Sequence, residues 1–183
     1  MKKRWIYLLL TCVLALSACG RAEQPAPSEP VPVEPEESPV VESPEPVSEV
    51  CELYLQVLAD LWEVDSGLNG GITCLGLDLS GVTDLTKADR EYIAWEFGAA
   101  YEMEVLPGGY EDLREGGYLE PYAEGTELFW WEDGVLFVIT GSAEDFDAHK
   151  WRSPLGAYFF SDCSGEQNGE GRWSYEIGSE MIS

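Results

Sequence analysis

Basic residues are scarce in this chain: ten lysines and arginines stand against 35 aspartates and glutamates in 183 residues. From residue 48 onward the counts are six and 28, a net charge of 6 − 28 = −22. Nucleic-acid binding needs the opposite sign along a groove or face, so that class is excluded. The same charge repels anionic lipid headgroups and keeps an exported protein soluble. Histidine occurs once, at His149, which excludes a multi-histidine metal site and leaves a Ser-His-Asp arrangement no other imidazole. Neither a Gly-x-Ser-x-Gly elbow nor the Asp-x-Asp-x-Asp-Gly calcium pattern is present. Cys51, Cys74 and Cys163 lie at spacings of 74 − 51 = 23 and 163 − 74 = 89 residues, which match no zinc or redox motif, and an odd number cannot pair completely. One disulfide, Cys74 with Cys163 because both fall in predicted strands, and three buried free thiols both stay open.

Proline is also scarce after residue 47, because eight of the eleven prolines lie within residues 20–47 together with seven glutamates, one arginine and no aromatic. Such a segment cannot bury enough apolar surface to offset its ordering entropy, so residues 20–47 are expected to stay unfolded. Proline bias favours extended polyproline II at about 3.1 Å per residue, a reach on the order of 85 Å. Ahead of it, Lys2, Lys3 and Arg4 precede an apolar run from Trp5 to Leu16. That run has the length of a secretory signal core and is too short to span a bilayer. It ends in Leu16-Ser17-Ala18-Cys19, which resembles the lipobox of bacterial lipoproteins. The resemblance implies a diacylglyceryl thioether at Cys19, cleavage after Ala18, and a protein held on the outer face of the cell membrane by two or three acyl chains. One chain alone binds only marginally. Three segments follow: a signal peptide over residues 1–18, the lipidated cysteine and linker over 19–47, and one globular domain over 48–183.

That domain is long enough for one core and too short for two. Trp62, Trp95, Trp130, Trp131, Trp151 and Trp173 supply large apolar areas that rule out disorder. Val50, Leu53, Tyr54, Val57, Leu58, Leu61 and Trp62 recur at helical spacing behind an N-cap candidate, Ser48. Residues 72–79 alternate as a strand. Thr86-Lys87-Ala88-Asp89 is close to a capping box and opens a second helix through about Tyr101, whose predicted buried stripe is Ala88, Tyr92, Trp95 and Ala99, widened by Ile93, Phe97 and Ala100. A short strand over 103–106 and a brief helix over 110–115 come next. Asp133-Gly134 between apolar runs at 127–131 and 135–140 signals a hairpin; further strands are expected near 146–152, 157–162 and 173–177. Helices early and strands late predict an α+β fold, N-terminal helices packed on a curved, mostly antiparallel sheet with a C-terminal β-meander. The run from Lys150 to Tyr158 and the closing run from Trp173 to Ser179 are similar to uncharacterised lipoproteins of Gram-positive bacteria, a likeness that brings no activity with it. The order of elements is loosely similar to the NTF2-like fold.

Four groups of residues are candidates for function. His149, Lys150 and Arg152 place two of the domain's six cations on one strand face, with Trp151 on the other; such an island can take a carboxylate or phosphate, and the competing reading pairs both cations with carboxylates such as Asp133 or Asp162. Glu144, Asp145, Asp147 and Asp162 form an acidic group that reads either as a solvated face or as an acid–base pair. Trp130-Trp131 suggests sugar stacking, although adjacent strand residues face opposite ways, so one of the two belongs to the core. His149 alone reads as a partly exposed polar residue. The expectation is a non-enzymatic binding or interaction module, monomeric, requiring no cofactor and no metal, with an unknown protein or small ligand as partner and the membrane engaged through Cys19. A carboxylate-dependent cell-surface hydrolase is the alternative. A transporter-linked receptor would need two lobes.

Overall fold

The computed structural model describes Pro44 and residues 48–183. The signal segment, the lipidation site Cys19 and the linker, Pro44 apart, lie outside the described residues. The domain is α+β. Helix α1 (Cys51–Glu63) leads through a 3-10 turn at Ser66–Asn69 to β1 (Cys74–Asp78), α2 (Lys87–Tyr101) and β2 (Glu104–Pro107). Helix α3 (Tyr110–Glu115) and a two-stranded ribbon, β3 (Glu120–Pro121) with β4 (Phe129–Trp130), precede β5 (Gly134–Ser142). Strands β6 (Asp145–Ser153), β7 (Gly156–Gln167), β8 (Trp173–Glu176) and β9 (Ser179–Ile182) complete a seven-stranded sheet in the order β2-β1-β5-β6-β7-β8, with β9 also on β7. Among the described residues no helix is long and apolar enough to cross a membrane.

Helical spacing fixes the face that α1 buries: Leu53, Tyr54, Val57, Leu58 and Leu61 are all fully enclosed, each contributing roughly 1.5–3 kcal/mol. Ser48 does not cap the helix, since Val50 takes the N-cap position without a side-chain bond. The capping box of α2 forms as its sequence indicates. The amide of Asp89 donates to Thr86 Oγ1 at 3.2 Å and the Thr86 amide returns a bond to Asp89 Oδ2 at 2.9 Å. Of its predicted buried stripe, Ile93 and Phe97 are buried, whereas the stripe's expected centre is not. Asp89, Ile93, Phe97 and Gly98 face inward, while Ala88 and Ala99 are exposed. Asp89 turns the helix because its carboxylate serves the cap and also accepts from the buried Cys51 thiol at 3.4 Å. Gly98 is needed where α2 crosses the sheet, since a Cβ there would meet the Met103 carbonyl at 2.8 Å.

The hairpin expected at Asp133-Gly134 is absent. Strand β4 pairs with β3, and β5 runs parallel to β1, with Cys74 opposite Gly134 and Asp78 opposite Val138. Gly134 does not take the left-handed φ that a type I′ turn requires; it is glycine because a Cβ there would fall 2.1 Å from the ring of the fully buried Trp131. The true hairpin is β5–β6, closed by Ala143 and Glu144 between the paired residues Ser142 and Asp145. Strand β9 is an addition to the expected meander.

Alternation along β5 divides the core. Val135, Phe137 and Ile139 pack under α1 and α2 with Ile93, Phe97 and the core residues of α1. Leu136 lies on the opposite face with Leu113 of α3, Leu119 and Trp131, and Val138 packs against this smaller cluster. Among the described residues, the third helix covers one end of the second sheet face and leaves the remainder open.

Candidate functional site

The expected cationic island is taken apart by the fold. Lys150 points beneath α1 and is 0 % exposed. Its ammonium donates to the carbonyls of Trp62, at 3.3 Å, and Val64, and to Asn69 Oδ1 at 3.2 Å. Burial lowers its pKa from 10.5 to about 8, against the opposing charges of Asp65 and Glu63. Arg152, on the same strand face, joins separate loops: Nε donates to the Trp131 carbonyl at 3.1 Å, Nη1 to Leu68 and Gly70 at 2.9 and 2.8 Å, and Nη2 to Glu132. Both cations serve backbone oxygens, so Lys150 and Arg152 neither line an anion site nor pair with Asp133 or Asp162. A guanidinium among loop carbonyls satisfies acceptors that no sheet partner reaches.

The acidic group does not converge. Glu144, Asp145, Asp147 and Asp162 are all exposed, and Asp147 Oδ1 accepts the Asp162 amide at 3.0 Å. This bond clasps the irregularity between β6 and β7, where Asp162 takes a left-handed φ of 53°. Among the described residues, no three His, Cys, Asp or Glu side chains come together as a metal site requires. Cys51, Cys74 and Cys163 are three free thiols. Burial, with Asp147, raises the pKa of Cys163 to about 11. Of the tryptophan pair, Trp131 is enclosed and Trp130 half-buried.

His149 occupies the other side of β6, where register builds a site that no sequence motif announces. Asp78 on β1 lies opposite Val138 on β5, Val138 opposite His149 on β6, His149 opposite Phe159 on β7, and Phe159 opposite Met181 on β9. The adjacent row carries Gly76, Leu136 and Trp151. Gly76 is required there because a Cβ would sit 2.9 Å from the Trp131 ring. Tyr110, the first residue of α3, leans over the two rows. Asp78, Tyr110, Leu136, Val138, His149 and Trp151 enclose a cavity of about 300 Å³, at the small end of ligand sites.

Ring geometry shapes its walls. Tyr110 and Trp151 meet at 82° with centroids 5.1 Å apart, and His149 stacks on Phe159 at 5.2 Å. Burial lowers the His149 pKa below its ordinary 6.5, although Asp78 and Asp147 pull the other way. The imidazole is therefore neutral at pH 7, one nitrogen donating and the other accepting. Asp78 stands at the carboxyl end of the parallel strand β1, where its Oδ1 accepts the Ser80 amide at 2.9 Å. A Cβ at residue 109 would approach Asp78 Oδ2 to 2.5 Å, so Gly109 makes room for the carboxylate. In parallel sheets the carboxyl ends of strands are the usual place for ligands.

Larger hollows of about 410 and 450 Å³ run between α2 and the edge strand β2. The first is lined by Ala94, Trp95, Met103 and Val105 with Gly98, Ala99 and Glu102, the second by Ala94, Val105 and Pro107 with Lys87, Arg90 and Glu91. The cations of the second are already partnered, Lys87 with Glu91 of the same wall at 2.6 Å and Arg90 with the carbonyls of Leu79 and Val82 at 3.0 and 2.7 Å. The smaller cavity, with an aromatic corner and polar groups at one wall, is the better ligand site.

Sequence reasoning singled out His149 beside Lys150 and Arg152, placed Trp151 only on the opposite face of that strand, and did not single out Asp78 or Tyr110, which register and α3 bring to the same cavity. No family model, curated protein or solved structure matches the chain.

Proposed function

We propose that this chain is a lipid-anchored, extracytoplasmic binding module: Cys19 carries the acyl chains, residues 20–47 act as a spacer, and the open sheet face around Asp78 and His149 receives a small ligand. The observation that supports it most is the cavity itself, in which half-buried rings and two polar side chains meet on a rigid sheet rather than on loops. Preformed aromatic and polar walls are what small-molecule sites commonly offer. The lipobox, the proline-rich segment and the acidic domain add a consistent address: an anchor, a stand-off, and a head that the headgroups repel.

Two measurements on the full chain test this. Labelled palmitate enters the wild-type protein, whereas Cys19→Ser leaves it unlabelled and releases it from the membrane fraction; equal membrane retention of the variant overturns the anchor. A thermal-shift screen of small solutes finds at least one that stabilises wild type and not Trp151→Ala. A broad screen in which no solute separates the two proteins overturns the binding reading.

A further inference from the structure

The open-face cavity discriminates by charge as well as by shape. Among the described residues its one charged lining residue is Asp78, and no lysine or arginine contributes to its walls. The cations closest in sequence, Lys150 and Arg152, are bound to backbone oxygens from the opposite side of β6. Among the described residues the titratable groups of the lining are Asp78 from β1, Tyr110 from α3 and His149 from β6, and Asp147 lies close to His149 on the same strand. Of these the imidazole is neutral at pH 7, and Asp78 and Asp147 supply negative charge. An entering anion meets these carboxylates and the domain's charge of −22, and Arg90, which lines a neighbouring hollow with Asp78, is held by the Leu79 and Val82 carbonyls.

Tyr110 and Trp151 form two walls at a right angle, with Leu136 and Val138 between them on the sheet. A stacked sugar ring needs one broad, unobstructed aromatic face, whereas here the two rings meet edge to face beside the aliphatic surface of Leu136 and Val138. An organic cation fits that mixture. Ring faces attract a positive charge through their quadrupole, most strongly when it is desolvated, and the aliphatic residues take the methyl groups that surround it. Asp78 supplies the counter-charge at the end of β1.

We propose that this cavity is a site for a small alkylated ammonium ion, held in the corner where Tyr110 and Trp151 meet edge to face, with Asp78 as counter-ion. The proposal rests on the binding reading above and specifies its ligand class. The domain's negative field raises the local concentration of such cations and speeds their arrival.

The test uses the full-length protein with choline as probe. Comparison ligands are its neutral isostere, with a quaternary carbon in place of nitrogen, methyl glucoside, and inorganic phosphate. Calorimetry and the indole N–H resonance of Trp151, assigned by its loss in Trp151→Phe, report binding. Choline binds saturably and shifts that resonance, the neutral isostere binds about tenfold more weakly, and added salt weakens choline. Asp78→Asn lowers choline affinity several-fold. Val138→Lys, which places an ammonium in the cavity at a half-buried position, abolishes binding while the melting transition stays cooperative. Equal affinity for choline and its isostere, or binding of glucoside or phosphate in preference to choline, overturns the cation assignment and leaves a binding module standing. If choline has no effect on Trp151, the cation assignment is also wrong; if none of the four ligands nor any solute in the broader screen acts on the cavity, the binding reading falls with it.

Discussion

Replacement of Lys150 by methionine tests how the domain tolerates a charge beneath α1. The side chain is fully enclosed and its three donors reach the Trp62 and Val64 carbonyls and Asn69 Oδ1. Methionine fills similar space without donors. Trp62 retains a partner, because Asn69 Nδ2 also donates to its carbonyl at 2.7 Å, so two acceptors, Val64 O and Asn69 Oδ1, lose theirs. Orphaned buried acceptors cost about 1–3 kcal/mol each. Relief from burying an ammonium offsets part of this. A fall in pKa from 10.5 to about 8 corresponds to about 3 kcal/mol at most, and the effective polarisability of a protein interior reduces it to about 1–2 kcal/mol. At pH 7 the variant is therefore less stable, by about 2–3 kcal/mol at the middle of these ranges. The pH dependence has a definite sign. Below pH 8 lysine is protonated folded and unfolded, and the burial cost is fully present; between about 8 and 10.5 the folded lysine sheds its proton first, the unfolded chain binds more protons, and wild-type stability gains relative to the variant. Urea unfolding of both proteins at pH 7 and pH 10 measures the gap, which widens by about 1–2 kcal/mol. A gap independent of pH, or a variant more stable than wild type at pH 7, refutes the reasoning.

Arg152→Lys leaves one compact ammonium where four donor contacts joined separate carbonyls, and chemical denaturation should show a loss of about 2–3 kcal/mol. Burial alone would raise the pKa of Asp89, but the hydroxyl and amide of Thr86, with Cys51 and Ser48, outweigh it and hold the carboxyl at about 2. Its stabilising effect is thus complete above the ordinary 3.8 and is lost as pH falls toward 2; Asp89→Ala should cost about 1 kcal/mol at pH 7 and unfold with a shallower dependence on acid than wild type. Thiol labelling of the native protein should modify Cys74 well before the buried Cys51 and Cys163, and denaturant should equalise all three. Choline affinity should decline as pH falls below the lowered pKa of His149, because the protonated ring repels the ligand, and His149→Gln should remove that decline.

Local signals in the chain were decisive where one residue type has one local use. The Thr86–Asp89 box, the helical repeat of α1 and the Gly-flanked helix at 110–115 could all be read directly. Pairing between distant segments could not. Asp133-Gly134 has the chemistry of a tight hairpin, but nothing local reveals that Trp131 must be buried or that β5 belongs beside β1. The same blindness explains the site. Lys150 and Arg152 look available on a strand until helix ends and loops deliver carbonyls to them. Asp78 and Tyr110 look unremarkable until register and the β2–α3 connection bring them to His149 and Trp151. The buried stripe of α2 was misjudged by treating a buried aspartate as surface, since an acidic side chain is rarely enclosed unless something donates to it.

Because β1 is flanked on both sides by parallel neighbours, neither of its ladders can form from adjacent chain. Cys74 must wait for Glu104 on one edge and for Gly134 on the other, whereas β5, β6 and β7 can zip as successive hairpins. Loop closure on this scale slows folding more than it weakens the finished domain. Until residue 134 has been released into the compartment where the chain folds, β1 stands with an open edge and its apolar face uncovered. That interval, rather than the native state, is when this acidic protein is most vulnerable to self-association, and its charge is the natural safeguard.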